Sequence, residues 1–542
     1  WETYSFEGFD SYNDTGTFGI DSILAQGTGP VDIGLAAVFN AASGIEQIVN
    51  GTSGANSQVR ILGSWVDNRF NFSNIRFSGG NFLFDTGDGN DVFVGSANAD
   101  LIRGGRGDDT LNGGNGGDTY LVSGFDPWNS NWETYSFEGF DSYNDSGSSG
   151  IDTIRATGSG PVDIGLAAVF NAASGIEVID ASNVSGPVRI LGNGQDNNFD
   201  FSATELRGAN LRIELGYGND CFIGSAAGDV VDGGYGNDRI HGGAGNDSIT
   251  GGGGNDILDG GEGSDTYWVS GQESDGWQAY GGTDTYSDSG TIGIDRIVAT
   301  GAGNVDIGLA RGHFLASNGI EQIVNNTSTV VGGVSRPANV RLLGDWNANV
   351  LNFSRVRFLG GGFVIDAGGA NDTVMGSADE DIILAGQGVD TVNGGDGADT
   401  ITGGEGLDVL TGGNGADTFV LTTLSDGLVN STPTSLSFEH IRDFTIGLDC
   451  FDVTTQPPAG GFRNLGAVSS LTANGLITLL NATNFVANGA ATFSSGSGAG
   501  LRTFIAFNDG VAGFSGFTDA VLEITGYRFA SGFNSLSQIG IV

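Results

Sequence analysis

In three separate stretches of this 542-residue chain, an aspartate returns at every ninth residue. The first stretch, 86–121, divides into TGDGNDVFV, GSANADLIR, GGRGDDTLN and GGNGGDTYL, with Asp91, Asp100, Asp109 and Asp118 at the sixth position. The second, 215–268, places Asp220, Asp229, Asp238, Asp247, Asp256 and Asp265 in the same way. The third, 367–420, supplies Asp372, Asp381, Asp390, Asp399, Asp408 and Asp417. Glycine around each acid tolerates positive φ, so a tight turn can aim its carbonyl oxygens inward beside the carboxylate. Such a cage of hard oxygen donors suits Ca²⁺. Sixteen frames in register predict a ladder of calcium sites.

The three residues after each aspartate predict the element that positions it. Their central member is apolar throughout: Phe93, Ile102, Leu111 and Tyr120, then Phe222, Val231, Ile240, Ile249, Leu258 and Tyr267, then Val374, Ile383, Val392, Ile401, Leu410 and Phe419. Three-residue strands with one inward side chain would stack into an apolar column beside the aspartate column. Some frames depart from the pattern. GSANAD, GSAAGD and GSADED lack the second glycine and carry Asn98, Ala227 or Asp379 at the fourth position, where AGGAND has Ala370. Weaker or absent ions are expected at these turns. Val389 and Leu407 at the fifth position are harmless if only their backbone contributes.

These frames resemble the RTX family of calcium-binding nonapeptide repeats, G-G-x-G-x-D-x-U-x with U large and apolar. The resemblance implies a parallel β-roll with each Ca²⁺ held between turns stacked on one side. It also implies calcium-driven folding after export by a type I secretion system. FEHIRDFTIGLDCFDV at 438–453 resembles the segment that closes such rolls, and 504–527 resembles a tail domain of cyanobacterial surface proteins.

A longer repeat encloses the nonapeptides. WETYSFEGFDSYNDTG at Trp1 returns as WETYSFEGFDSYNDSG at Trp132 and, diverged, from Trp277; VDIGLAAVFNAASGIE occurs at 31–46 and 162–177. Short β-branched runs such as Gly19–Leu24, Val31–Leu35 and Ile45–Val49 predict parallel β-helix coils, and Ala36–Ala42 predicts one helical turn. The expected fold is an all-β parallel β-helix/β-roll solenoid. Its units are 1–131, 132–276 and 277–421, followed by a β-rich cap, with a secretion or surface-assembly role, at 422–542. Asp14, Asp21, Asp145, Asp152, Asp288 and Asp295, in the segments between rolls, are either further calcium ligands or solvated acidic turns.

Charge narrows the partners. Acidic residues number 64 against 20 basic ones, all arginine, for a formal net charge of −44. Nucleic acid and anionic membranes are excluded as partners by sign, and divalent cations are the natural counter-charge. No stretch is long and apolar enough to span a bilayer. Cys221 and Cys450 make neither a disulfide framework nor a thiolate site, which leaves metal as the staple of an extracellular protein. Because Trp1 lies at a repeat boundary, the chain is expected to be the ordered part of a longer or processed protein.

An enzyme would need clustered acid, base or nucleophile groups. His241, His313 and His440 lie on unrelated segments, and no zinc, serine-elbow or phosphate-loop motif is present. No catalytic residue is assigned and no enzymatic activity is expected. Arg60, Arg189 and Arg341 in the recurring VR[IL]LG are expected to pair with an aspartate of the adjacent coil rather than bind an acidic partner or carbohydrate. Trp1, Trp132 and Trp277 with Tyr4 and Tyr135 suit packing between units better than sugar stacking. The expected role is a secreted structural protein at the cell surface, self-assembling with Ca²⁺ into a surface layer or filament. The alternatives are an adhesin or carbohydrate-binding rod that takes a cell-surface glycan, and the calcium-folded carrier part of a secreted enzyme or toxin.

Overall fold

The computed structural model describes residues 8–14, 19–54, 57–124, 138–270, 282–309, 313–331, 334–422, 430–432, 435–453, 457–458, 461–468, 471–498, 501–515, 519–525 and 541. The boundary aromatics Trp1, Tyr4, Trp132, Tyr135 and Trp277 lie outside these residues. Contacts divide the chain into two compact units, Trp1–Thr266 with Gly290–Gly293, and Tyr267–Ser289 with Ile294–Val542.

The first unit is a parallel β-solenoid whose strands are mostly two to five residues long. Each nonapeptide makes half a coil, so residues eighteen apart come into register. Phe70, Phe93, Leu111 and Tyr143 follow one another on neighbouring strands. A second ladder runs Phe84, Ile102, Tyr120, Ile154, Ile179 and Leu206. In the second roll the stacks are Phe199, Phe222, Ile240 and Leu258, and Ile213, Val231 and Ile249. A strand this short gains little from its own hydrogen bonds. Burial of its one central side chain against two neighbours holds it in place.

Between the rolls, wider coils use the same sheets. Ile33, Ile61 and Phe84 are in register, as are Ile164, Ile190 and Ile213. The expected helical turn is a 3₁₀ turn at Ala41–Ser43, repeated at Ala172–Ser174. Asn40 and Asn171 cap these turns at the start, and Gly44 and Gly175 leave them in the left-handed region. Each recurring arginine grips the aspartate directly across the ladder. Arg60 holds Asp32 through two hydrogen bonds of 2.8 and 2.6 Å, and Arg189 holds Asp163 at 2.9 and 2.7 Å.

The second unit repeats the architecture. One sheet stacks Ile307, Leu342, Ile365, Ile383, Ile401, Phe419 and Phe451, and another Leu351, Val374, Val392, Leu410 and Ile441. Arg341 pairs with Asp306 at 2.8 and 2.6 Å. Strand Glu439–Ile441 is the joint with the C-terminal segment. It lies parallel to Val409–Asn414 on one side and to Ala520–Ile524 on the other. Beyond it the sheet turns antiparallel through Arg502–Phe507 and Ala490–Ser495. The helix Ala473–Leu479 packs Leu476 onto this sheet against Phe438, Phe485, Phe493 and Phe504. The closing segment thus covers the apolar end of the third roll, as a solenoid requires.

Glycine sets the coil spacing. Gly236 has φ 136°, and a Cβ there would lie 1.6 Å from the Gly218 carbonyl oxygen of the coil above. Ala370 occupies the matching fourth position in its frame and is held at φ 68°, a left-handed conformation costly for alanine. Opposite effects are therefore expected in chemical denaturation with saturating calcium. Gly236→Ala should lose on the order of 3 kcal/mol, and Ala370→Gly should gain about 1 kcal/mol. A shift of the same sign in both would refute glycine as the spacing element.

Candidate metal centre

All sixteen nonapeptide aspartates are buried, none more than 7% exposed. The backbone organises them into two lines per roll, because within a line an aspartate N–H donates to the carboxylate eighteen residues on. Asp91 donates to Asp109 Oδ1 at 2.8 Å and Asp100 to Asp118 Oδ1 at 2.7 Å. The second roll links Asp220, Asp238 and Asp256 on one side and Asp229, Asp247 and Asp265 on the other, at 2.7–2.8 Å. The third links Asp372, Asp390 and Asp408, and opposite them Asp381, Asp399 and Asp417. These bonds fix where each carboxylate sits and use only Oδ1.

The other oxygen tests whether these residues fit a cation. Oδ2 of Asp91, Asp109, Asp118, Asp220, Asp238, Asp247, Asp372, Asp390 and Asp399 is buried and accepts no hydrogen bond. An anionic oxygen without a donor is among the costliest groups to bury. Glycine keeps the space beside it open. A Cβ at Gly104 would stand 2.4 Å from Asp109 Oδ2, at Gly242 2.3 Å from Asp247 Oδ2 and at Gly394 2.2 Å from Asp399 Oδ2. Carbonyl oxygens complete the cradle. Those of Gly87 and Gly89 come within 1.9 and 2.1 Å of where Cβ atoms on Gly105 and Gly107 would stand. Oxygen donors alone, with one net charge per turn, fit Ca²⁺.

Burial and the neighbouring acids raise the carboxyl pKa values when no cation balances them. Burial first, then the adjacent Asp141 and Asp91, pushes Asp109 up to about 9, and burial followed by Asp229 and Asp265 pushes Asp247 up to about 8. Burial also places Asp118, Asp238 and Asp399 at about 7, and Asp256 and Asp390 at about 6. Asp91, Asp220, Asp372 and Asp417 shift in the same direction for the same leading reason.

The three divergent GSA frames are built differently. In each, the serine N–H and hydroxyl engage both oxygens of the frame's own aspartate: Ser96 with Asp100 at 2.6 and 2.9 Å, Ser225 with Asp229 at 2.7 and 3.1 Å, Ser377 with Asp381 at 2.6 and 3.1 Å. The serine hydroxyl supplies locally what a cation would supply elsewhere. This is the physical basis for expecting weak ions there.

A family model for the RTX calcium-binding nonapeptide repeat matches residues 85–120, 232–267, 366–401 and 384–419. These segments are RTX calcium-binding nonapeptide repeats. They bind Ca²⁺, and fourteen of the sixteen buried aspartates lie within them. Asp220 and Asp229 fall outside the matched ranges, yet their RTX-like turns continue the same two lines. No curated protein matches the chain.

Sequence reasoning passed over other residues that structure brings to the lines. Asn68, Asn197 and Asn349 stand at the head of one line in each roll, where their N–H groups donate to Asp91, Asp220 and Asp372 at 2.7 Å. The signal was the fixed spacing of 23 residues to the first RTX aspartate in all three copies. At the far end of the first roll, Asp109 donates to Asp141 and Asp118 to Asp152. Glu138, buried beside them, is pushed up to about 7 mainly by burial, and Asp141 for the same reason to about 8. Asp443 and Asp449 close the third roll by accepting the N–H groups of Gly412, Gly413 and Asp417.

The sign of the pH dependence follows. Without calcium, the folded state holds carboxyl protons that the unfolded chain releases near pH 4. Stability must therefore fall as pH rises from about 4 to about 9. Calcium reverses the slope, because protons then compete with the ion. Urea titrations in EGTA should show the midpoint dropping from pH 4.5 to pH 8, and in millimolar calcium rising. A pH-independent midpoint in EGTA would count against the buried lines as the source of calcium dependence.

Proposed function

We propose that this chain is a secreted, calcium-stabilised structural protein that self-assembles at the cell surface into a layer or filament. The family of its repeats supports export, since RTX proteins are typically secreted. Among the described residues no helix is long and apolar enough to cross a membrane. The observation that carries assembly is the recurrence of exposed apolar side chains at matching positions of the long repeat. Ile20, Ile151 and Ile294 in the successive GID segments are 69, 62 and 48% exposed. Val38 and Val169 recur likewise, as do Trp65 and Trp346. A surface that repeats an apolar contact along one chain can engage copies of itself at several points, so weak contacts add. The high negative charge opposes such association until calcium neutralises it.

The role is non-catalytic in this proposal. His241 pairs with Asp259 on the RTX ladder at 3.3 Å and His440 bonds Thr525 in the cap, both structural uses. One observation favours the adhesin alternative. Tyr217 and Tyr235 stack with centroids 5.1 Å apart on exposed turn positions, a flat platform of the sort that takes a sugar face. The carrier alternative would require an effector domain joined to this chain.

Negative-stain electron microscopy of purified protein, in millimolar calcium and then in EGTA, tests the proposal. Ordered sheets or fibres are expected only with calcium, and Ile151→Asp should abolish them while leaving the circular dichroism spectrum intact. Isolated particles in both conditions would overturn the assembly role and favour the glycan-binding or carrier alternative.

A further inference from the structure

The end of the first roll gathers more carboxylate than its repeat supplies. Asp118 is the last RTX aspartate there, and Asp145 and Asp152 arrive from the following coil, outside the matched repeat. One carboxylate oxygen from each lies within 4.8 Å of the other two, and all three residues are buried. Asp118 is fully buried and its Oδ2 has no hydrogen-bond partner. That oxygen faces Gly113, where a Cβ would stand only 2.3 Å from it. The Gly113 N–H donates to the Tyr120 hydroxyl at 2.6 Å, and this hydroxyl donates to Asp145 Oδ2 at 2.8 Å. The unsatisfied oxygen and the Asp145 carboxylate thus flank the same glycine. Asp145 Oδ1 is held by the Gly147 N–H and Asp152 Oδ1 by the Asp118 N–H, so backbone and tyrosine preset all three acids.

We propose that Asp118, Asp145 and Asp152 form a separate divalent-cation site, a three-carboxylate terminus distinct from the one-acid-per-turn RTX cradle. Three acids and no nitrogen or sulfur donor select a hard cation such as Ca²⁺. The excess charge makes this site the strongest electrostatic trap on its line, and it pins a wide coil to the roll. The pair recurs in sequence as Asp14 with Asp21 and as Asp288 with Asp295.

The site rests on the calcium-binding reading of the repeats, and the experiment separates the two. Bound calcium is counted by equilibrium dialysis in the full chain, in Asp145→Asn and in Asp152→Asn, with folding checked by circular dichroism. Each variant should bind one ion fewer than the parent chain. In addition, anomalous scattering from calcium-loaded crystals of the parent chain should place a peak among the three acids. Unchanged stoichiometry with no peak there, while the parent still binds several ions, overturns this site alone. A parent chain that binds none removes both readings.

A second observation, at the opposite end of the rolls, points to neutral amide donors that take an ion's place. The side-chain nitrogen of Asn68 shares its two N–H groups among four acceptors, the carbonyl oxygens of Ser64, Val66 and Thr86 and Asp91 Oδ1, at 3.1, 2.5, 3.1 and 3.0 Å. Asn197 repeats the cage with Asn193, Gln195, Leu215 and Asp220 at 3.1, 2.7, 3.3 and 2.9 Å. Asn349 does so with Asp345, Asn347, Ala367 and Asp372 at 3.1, 2.6, 2.8 and 2.9 Å. All three asparagines are almost wholly buried. One coil further on, Thr86 and Asp91 give way to Gly104 and Asp109, no asparagine is present in the cage, and Asp109 Oδ2 has no hydrogen-bond partner.

We infer that Asn68, Asn197 and Asn349 stand in for an ion, their amide N–H groups filling the first cage of each line so that it starts without metal. Asn197→Asp would place a carboxylate where the donor was, and the cage would then need a cation. This variant should bind one calcium more than the parent and lose more stability in EGTA. Anomalous maps of the calcium-loaded parent should be empty at all three asparagines. A calcium peak within any of these cages, or unchanged stoichiometry in a folded Asn197→Asp, refutes the substitution role.

Discussion

The whole structure depends on carboxylates that are buried with one oxygen satisfied and the other not. The backbone N–H bond to Oδ1 is what places each acid, because it links turns eighteen residues apart. The same bond commits the second oxygen to the interior. A protein that built only this would be pushed apart by its own charge, since like carboxylates follow one another along a line inside a poorly polarisable wall. Calcium turns that repulsion into the force that closes the coils.

Glycine and the apolar column are consequences of that arrangement. Carbonyl oxygens can converge on a cation only if the next turn passes close beneath them, and the contacts at Gly105, Gly107 and Gly236 leave no room for a β-carbon. Strands of three residues then suffice, because each central side chain is clamped by the coils before and after it. Local propensity contributes little to such short strands. The solenoid is instead held by long-range contacts between coils.

The ends of the lines show how a periodic structure is stopped. Within the first roll, the starts are quenched by neutral donors, an asparagine amide on one side and a serine on the other. The finishes are acids contributed by the next coil. Wider coils then carry the arginine–aspartate pairs, where one acid per coil is balanced within the protein.

Much of this was legible in the sequence. The period of nine, the invariant sixth-position aspartate and the apolar residue two places later determine the roll, its core and its metal, because each frame meets only its own copies and local chemistry repeats into structure. The arginine pairing was legible for the same reason, Arg60 and Asp32 sitting at equal depth in successive coils. The termini of the lines were not. Asn68 stands outside the nine-residue period, and its role emerges only when Ser64, Val66 and Thr86 turn their carbonyls toward it. Asp145 and Asp152 looked equally like surface acids until tertiary structure brought them to Asp118. What repeats is dictated by local chemistry; how each roll ends depends on contacts between residues from unlike coils, which the nine-residue period does not encode.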